Sequence, residues 1–248
     1  MAIIDPIPVA GRPRSNRARS WPWIGIVGLS LVAPLSACAG NTDTSNAAQE
    51  LVDRSTLTVE TMLGNGSSQA NQATQFLRRA KAVVVCPRIF KAGFFIGGEG
   101  GQCVLVSRAA TGSWSDPAFY TMGSGSFGLQ IGVQDAEVIM MLMNNTALTA
   151  FLNSQFKIGA DAGISVATIG AGVGGSTGTA LGADIITFAK ARGLYGGISL
   201  SGSVFSNDSA LDQQYYGQII DPRQIVVTMN ANNAGANPLR AMLAKFGG

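Results

Sequence analysis

The chain of 248 residues contains no histidine. Histidine provides the general base in Ser-His-Asp and Cys-His catalysis and is a usual zinc ligand, so its absence excludes these enzymes and most zinc sites. Charged residues are also scarce, at 12% of the chain. The carboxylates are scattered singly, and Asp135 and Glu137 alternate along a predicted strand edge, where acids are ordinarily solvated. We therefore expect a protein without catalytic residues, cofactor or metal.

The first 37 residues have the pattern of a secretory signal peptide. Four arginines precede an apolar segment, residues 21–37, that contains two prolines and is too short for a stable membrane span. The segment ends in Leu35-Ser36-Ala37-Cys38, which resembles the bacterial lipobox. This resemblance implies that Cys38 is lipidated and becomes the first mature residue, and Ala39 after it implies sorting to the outer membrane. The alternatives are an ordinary signal peptide cleaved nearby and an anchoring helix that is retained.

Cleavage before Cys38 changes the charge of the protein. Four of the 17 basic residues and one of the 14 acidic residues precede this cysteine, so 13 of each remain and the mature chain is formally neutral. A nucleic-acid partner, which requires a broad positive surface, is therefore not expected. The predicted organisation is a signal peptide of the lipoprotein type (1–37), a flexible tether of small polar residues (38–48) and a single domain (49–248).

Glycine occupies 32 positions, which favours strands and turns over long helices. Helices are predicted from 49 to 63 and from residue 67 onward, before the first strand. Residues rich in β-branched and aromatic side chains then predict strands at 82–86, 93–98, 102–108, 118–133, 136–143, 157–169, 183–190 and 194–205. Thr146 is expected to cap a short helix, and Asp221-Pro222 and Asn237-Pro238 to open two C-terminal helices. We predict an α+β fold with a large glycine-rich antiparallel sheet, free to curl toward a barrel, and helices at both termini.

The segment VATIGAGVGGSTG, residues 166–178, matches the G-x-G-x-x-G pattern of dinucleotide-binding loops at Gly170, Gly172 and Gly175. The pattern recurs at residues 123–128, so it carries little information in a chain so rich in glycine. The residues that follow are poor helix formers, and Asp184 comes only nine positions after Gly175 rather than about 20. We therefore predict a glycine-rich loop or strand turn, and no nucleotide site.

Five segments follow one another in the order found in a known domain. They are AKAVVVCPRIFKAGFFIGGEGGQCVLVSR (80–108), GSWSDPAFYTMGSGSFGLQIGVQ (112–134), IGADAGISVA (158–167), ARGLYGGISLSGS (191–203) and YYG (215–217). They resemble the SYLF domain, a lipid-binding family of bacterial envelope proteins and of eukaryotic membrane-trafficking and actin-patch proteins. The chain departs from the family at Cys86, Phe188 and Ser201. The resemblance implies non-catalytic lipid binding, with phosphoinositides or other anionic phospholipids as the ligands of eukaryotic members.

A basic stretch supplies a candidate site for that binding. Between Glu60 and Glu99 there is no acid, and the stretch holds five cations interleaved with aromatic residues: Arg78, Arg79, Lys81, Arg88, Lys91, Phe90, Phe94 and Phe95. Cations beside exposed aromatics suit a phospholipid surface, because the charges meet phosphates and the rings enter the interfacial zone. The alternative is that the cations form a solvated face and the phenylalanines lie in the core.

Cys86 and Cys103 fall on neighbouring predicted strands. A disulfide bond between them is permitted in an oxidising compartment, and two buried free thiols are the alternative. The sequence as a whole predicts a lipoprotein of the bacterial cell envelope, in the outer membrane and facing the periplasm, whose partner is the phospholipid membrane. The alternative function is an envelope structural or protein-interaction module with the lipidated cysteine as its only lipid contact.

Overall fold

The computed structural model describes residues 44–127, 132–153, 155–160, 163–170, 182–193 and 200–248. These residues belong to one compact unit, Asn41–Gly248. The expected signal peptide, Cys38, and Gly172 and Gly175 of the glycine motif lie outside the described residues.

The described residues form helices at both ends of the chain and a sheet between them. The helices are α1 (Thr44–Leu63), α2 (Ser68–Leu77), α3 (Asn145–Phe151), α4 (Ser209–Tyr216), α5 (Pro222–Val226) and α6 (Asn237–Gly247), with a 3-10 turn at Ala234–Ala236. The strands are β1 (Ala82–Gly93), β2 (Ile96–Ser107), β3 (Ala118–Phe127), β4 (Gly132–Leu142), β5 (Gln155–Lys157), β6 (Val166–Gly170), β7 (Ile185–Gly193) and β8 (Val204–Asn207).

The eight described strands form one sheet in the order β5-β8-β3-β2-β1-β4-β7-β6. The sheet curls into a half-barrel, and the predicted α+β class is confirmed. Its pairs are antiparallel with the exception of β6 and β7, which are parallel. The long strands β1 and β2 are joined by a tight hairpin at residues 94–95 and lie at the centre of the sheet. Their shared hairpin therefore marks one end of the central strands.

Alternate residues of the strands build two separate hydrophobic cores, one on each face of the sheet. In β1, Val83 and Val85 pack with α1, α2 and α6, whereas Val84 and Cys86 pack with α3 and α5. Side chains along a strand alternate between faces, so an unbroken apolar run such as residues 82–86 is what a strand covered on both sides requires. We name the side of the sheet that α1 covers the α1 face, and the side that α3 covers the α3 face.

Helix α1 lies over β1 and β2 on the α1 face and contacts α2, α4 and α6. Gln49 at its start donates from Nε2 to the carbonyl of Gly235, 3.2 Å away, just before α6 begins. Gly64 directly after its end lies beside the ring of Phe246, near the end of α6. The two helices therefore run side by side in the same direction. The other side of α6 reaches Trp114, whose carbonyl accepts a 2.8 Å hydrogen bond from Arg240.

Several local expectations differ from the structure. Helix α1 begins at Thr44, so the last residues of the expected tether are helical, and Ala48 is buried. The N-cap of α3 is Asn144 rather than Thr146, because the Asn144 side chain accepts from the backbone N–H of Ala147. Helix α6 starts at Asn237 without a side-chain cap. The strand expected over 157–169 is divided between β5 and β6.

Cys86 and Cys103 are joined by a disulfide bond between β1 and β2. Both residues are fully buried in the core of the α3 face. The bond lies beside a register shift between Val85 and Arg88, where β1 carries an extra residue relative to β2. In the structure the two thiols are therefore bonded rather than free, and the bridge joins the central strand pair at its irregular point.

Candidate membrane-binding site

The structure divides the predicted lipid-binding residues into two groups at opposite ends of β1. Arg78 and Arg79 follow α2, and Lys81 directly precedes the strand. The second group, Arg88, Phe90, Lys91 and Phe94, lies in the far half of β1 and in its hairpin. Ten residues separate Lys81 from Lys91, which corresponds to about 30 Å along a strand. The predicted residues therefore do not form one basic patch.

The far group belongs to an exposed apolar surface at the end of the central strands. We name this surface the rim cluster; its members are Phe90, Phe94, Phe95, Ile96 and Val133. Their exposed fractions are 43%, 55%, 62%, 69% and 51% in that order. The rings of Phe94 and Phe95 contact each other edge to face, with centroids 4.6 Å apart. The alternative that these phenylalanines lie in the core is wrong.

Strand register explains why residues distant in sequence meet at this rim. Gly93 pairs with Gly97 across the hairpin and with Gly132 at the start of β4, so three strands end at the same level. Val133 is the register partner of Ala92 and therefore joins the phenylalanines of the neighbouring strand. Sequence reasoning missed Ile96 and Val133, because only the pairing of β1 with β4 brings Val133 to the hairpin.

Carboxylates pair with both cations of the far group. Arg88 donates from Nε and Nη2 to the Asp135 carboxylate at 2.8 and 3.1 Å. The hydrogen bonds and charge of Asp135 raise the pKa of Arg88 above its ordinary value. Lys91 Nζ lies 4.0 Å from Oε2 of the buried Glu99, whose other oxygen accepts from Ser203 Oγ at 3.2 Å. The absence of acids in the sequence between Glu60 and Glu99 therefore does not produce an unpaired basic surface here.

The expectation that Asp135 and Glu137 lie on a strand edge is wrong, although the Asp135 side chain is solvated, with 44% of its surface exposed. Their strand, β4, lies between β1 and β7 inside the sheet. Asp135 bonds Arg88, and Glu137 Oε2 lies 3.8 Å from Nζ of Lys190 on β7. Their alternation places both on the α1 face, where they take part in ion pairs between neighbouring strands.

A groove separates Phe90 of the rim cluster from α1. It consists of two cavities of about 480 and 290 Å³, which share Arg54, Pro87 and Arg88 as lining residues. The first turns of α1 form one wall of the larger cavity through Ala47, Glu50 and Leu51, and Phe90 and Gly100 contribute from the sheet. The start of α1 and the apolar end of β1 thus face each other across a single cavity.

The opposite end of β1 is tied to the helices. The Arg108 guanidinium donates to the carbonyl of Arg78 at 2.8 Å and to that of Gly247 at 2.9 Å. It also stacks on Trp114 with its central carbon 4.5 Å from the ring centroid. Partial burial lowers the pKa of Arg108 from its ordinary value. Arg78, Arg79 and Lys81 are exposed around this anchored end, far from the rim cluster.

Two other kinds of site are absent from the described ranges. Among those residues, no helix has both the length and the apolar character needed to span a bilayer. Within the same ranges, no group of three or more His, Cys, Asp or Glu side chains is placed to bind a metal ion.

Residues 123–246, half of the chain, match the family model described as Ysc84: Las17-binding protein actin regulator. The chain belongs to this family. The match confirms the family that the SYLF segments predicted. The family description names binding and regulation, and it indicates no catalytic activity.

Relatives of the Ysc84 family in eukaryotes align with most of this chain. SH3 domain-containing YSC84-like protein 1 of Homo sapiens is 26% identical over 171 residues, which cover 68% of this chain and 50% of the relative. Protein YSC84 of Saccharomyces cerevisiae is 27% identical over 174 residues, covering 67% of this chain and 36% of that protein. The chain spans half or less of the length of these relatives, so they share a domain with it.

Proposed function

We propose that this Ysc84-family protein is a lipid-anchored component of the bacterial cell envelope whose domain binds phospholipid bilayers without catalysing a reaction. In this proposal Cys38 carries the lipid, the outer membrane is the bilayer, and the domain faces the periplasm. The Cys86–Cys103 disulfide is consistent with that oxidising compartment. The observation that carries the binding function is the rim cluster.

The rim cluster has the composition of a surface that enters a membrane interface. Its five side chains are about half exposed, and three of them are phenylalanines. Fully burying a side chain of this size gives roughly 1.5–3 kcal/mol, so a half-exposed one gives about 1 kcal/mol when it enters the acyl region. Five such contributions would yield measurable binding to vesicles without a bound cofactor or a deep pocket.

The charged residues beside the rim cluster bear on which phospholipid headgroups the domain prefers. Arg88 is exposed beside Phe90, with its guanidinium carbon 5.6 Å from the ring centroid. The ion pair with Asp135 reduces the attraction of Arg88 to anionic headgroups. It does not abolish this attraction, because a guanidinium has five hydrogen-bond donors and Asp135 uses only two of them. We therefore propose binding to anionic phospholipids, phosphoinositide-like headgroups included, that is stronger than binding to zwitterionic ones by a modest factor.

Vesicle co-sedimentation of residues 41–248 tests the proposal, because these residues form one compact unit that can be made without the anchor. Phe94→Ser with Phe95→Ser should weaken binding to phosphatidylethanolamine–phosphatidylglycerol vesicles by about tenfold or more, since roughly 2 kcal/mol of apolar burial is removed. Binding should fall only partly as salt rises to about 0.5 M, because salt screens exposed charges and leaves apolar burial intact.

Two control variants make the result specific. Ile219→Ser with Val227→Ser removes two apolar side chains outside the rim that are exposed to 85% and 52%, against 55% and 62% for Phe94 and Phe95, and should leave binding unchanged. Arg78→Glu with Lys81→Glu reverses charge at the opposite end of β1; a loss with this pair, and none with the phenylalanine pair, would place the site there instead. No binding by the wild-type domain would favour the alternative of a protein-interaction module whose only lipid contact is Cys38, whereas binding that none of the variants changes would place the lipid site outside both the rim cluster and the basic end of β1.

A further inference from the structure

The start of α1 and the rim cluster lie at the same end of the domain. Ala47 and Leu51, in the first two turns of α1, line the same cavity as Phe90. Phe94 is only four residues beyond Phe90, about 13 Å along the strand. The chain therefore enters the described domain close to its exposed apolar surface. The basic residues Arg78 and Lys81 lie at the other end of β1.

The length of chain before α1 limits how far the domain can move from an anchor at Cys38. Five residues lie between Cys38 and Thr44, and even fully extended the six steps from one residue to the next span only about 20 Å. That distance exceeds the separation of about 13 Å between the level of Phe90 and the hairpin. A lipid on Cys38 can therefore lie in a bilayer while the rim cluster touches the same bilayer.

We infer that the rim cluster inserts into the same membrane that holds Cys38. The domain is then attached to this membrane at two points, and its β1–β2 hairpin faces the bilayer. This inference rests on the proposed function, because it requires both the lipid anchor and the membrane affinity of the rim. It adds the orientation of the domain and identifies its partner as the anchoring bilayer rather than a second membrane.

Two attachments on one bilayer reinforce each other. Once Cys38 is anchored, the rim meets the bilayer at a high effective concentration set by the short tether, so even weak apolar contacts remain engaged. In this orientation the groove between α1 and the sheet opens near the headgroup level, and Arg78, Arg79 and Lys81 point away from the membrane. The short tether equally prevents the rim from reaching an opposing bilayer while its own surface is available.

Site-directed spin labelling of the lipidated protein tests the inference. The sequence holds three cysteines, of which Cys38 is acylated in the proposal and the other two are bridged, so an introduced cysteine can be labelled selectively. A nitroxide at Phe95→Cys, in vesicles of phosphatidylethanolamine and phosphatidylglycerol, should be accessible to oxygen and protected from a water-soluble nickel relaxant. Labels at Ile219→Cys and Arg78→Cys should show the reverse.

The outcomes separate this inference from the proposed function. If the label at position 95 is as exposed to the nickel relaxant as the label at 219, while unlipidated residues 41–248 still bind vesicles, the orientation is wrong and the proposed function survives. If the lipidated protein aggregates vesicles through the rim, it joins two membranes and the inference is overturned. If the unlipidated domain does not bind and position 95 is aqueous, both fail. Membrane protection at 95 without vesicle aggregation supports the inference.

Discussion

Gly101 shows how closely the backbone of β1 approaches β2 at the register shift. A β-carbon added to this residue would lie 2.4 Å from the carbonyl oxygen of Arg88 and 3.2 Å from the α-carbon of Ile89. Atoms of the main chain cannot move aside as a flexible side chain can, so only glycine fits here. The same backbone approach positions Arg88 on the α1 face beside the groove.

We therefore expect Gly101→Ala to lower the free energy of unfolding of residues 41–248 by about 1–3 kcal/mol, the usual cost of overpacking a tight site. Gly98→Ala is the matched control on the same strand, because its β-carbon would meet only the Ser124 carbonyl oxygen, at 3.9 Å. Urea denaturation followed by circular dichroism measures both. Equal stability of the two variants would contradict the close approach at Gly101.

Individual residues of the candidate site were predictable only in part. The exposed Phe90 and Phe94 were proposed from their position among cations, and the structure places both at the surface. The acids that pair with Arg88 and Lys91 come from 47 residues away in sequence and from the opposite strand of the hairpin. Counting charges along the chain does not identify such ion-pair partners, because strand register decides which side chains meet.

At the scale of elements, a buried carboxylate fastens α4 to β3. Asp212 accepts a 3.0 Å hydrogen bond from the backbone N–H of Phe119 and a 2.6 Å hydrogen bond from the Asn207 side chain. The Asp212 residue is fully buried. Burial raises the pKa of Asp212 to about 7, against the opposing effect of these hydrogen bonds. In the unfolded chain an aspartate has a pKa of about 3.9.

This difference predicts how stability depends on pH. Between about pH 4 and pH 7 the folded protein binds a proton at Asp212 that the unfolded chain has lost, so the free energy of unfolding falls as pH rises through this window. The slope from this residue reaches at most about 1.4 kcal/mol per pH unit. Asp212→Asn should retain an acceptor for Phe119 and lose this slope.

Melting temperatures measured at intervals from pH 4.5 to 7.5 compare the two proteins. Other titrating groups, such as the buried Asp116, whose pKa burial also raises, are present in both and cancel in the difference. The melting temperature of wild type should fall relative to that of the variant as pH rises. A constant difference across this range would show that Asp212 is ionised throughout.

Elements were easier to predict than their ends or their pairing. Runs rich in β-branched and aromatic residues located part of each central strand, since composition is a local property of the chain. The strand expected at 93–98 instead spans the hairpin between β1 and β2. The start of α1 at Thr44 was missed, because polar residues such as Ser45 and Asn46 are typical of loops, and the first buried residue of the helix is Ala48. The parallel pairing of β6 with β7 has no local signal, because it depends on the path of the chain between them.

At the scale of the whole molecule, the disulfide joins the two strands around which both cores are built. Cys86 and Cys103 are 17 residues apart, and the strands they connect carry core residues on both faces. The sequence left open whether these cysteines are bonded, because spacing alone does not determine the distance between strands. With the strands paired, the bond closes the loop that contains Phe90, Phe94 and the rest of the hairpin.

Closing a loop of this length restricts the unfolded chain and contributes about 3 kcal/mol. We expect Cys86→Ala with Cys103→Ala to lower the free energy of unfolding by about this amount while leaving the fold intact, because ten register pairs still hold β1 to β2. Urea denaturation of residues 41–248 with and without reductant measures the effect, and reductant should destabilise wild type alone. Because the same register pairs keep the β1–β2 hairpin formed in the folded double variant, its vesicle binding should remain near that of wild type. A variant as stable as wild type would show that strand pairing already provides the restriction assigned to the bond.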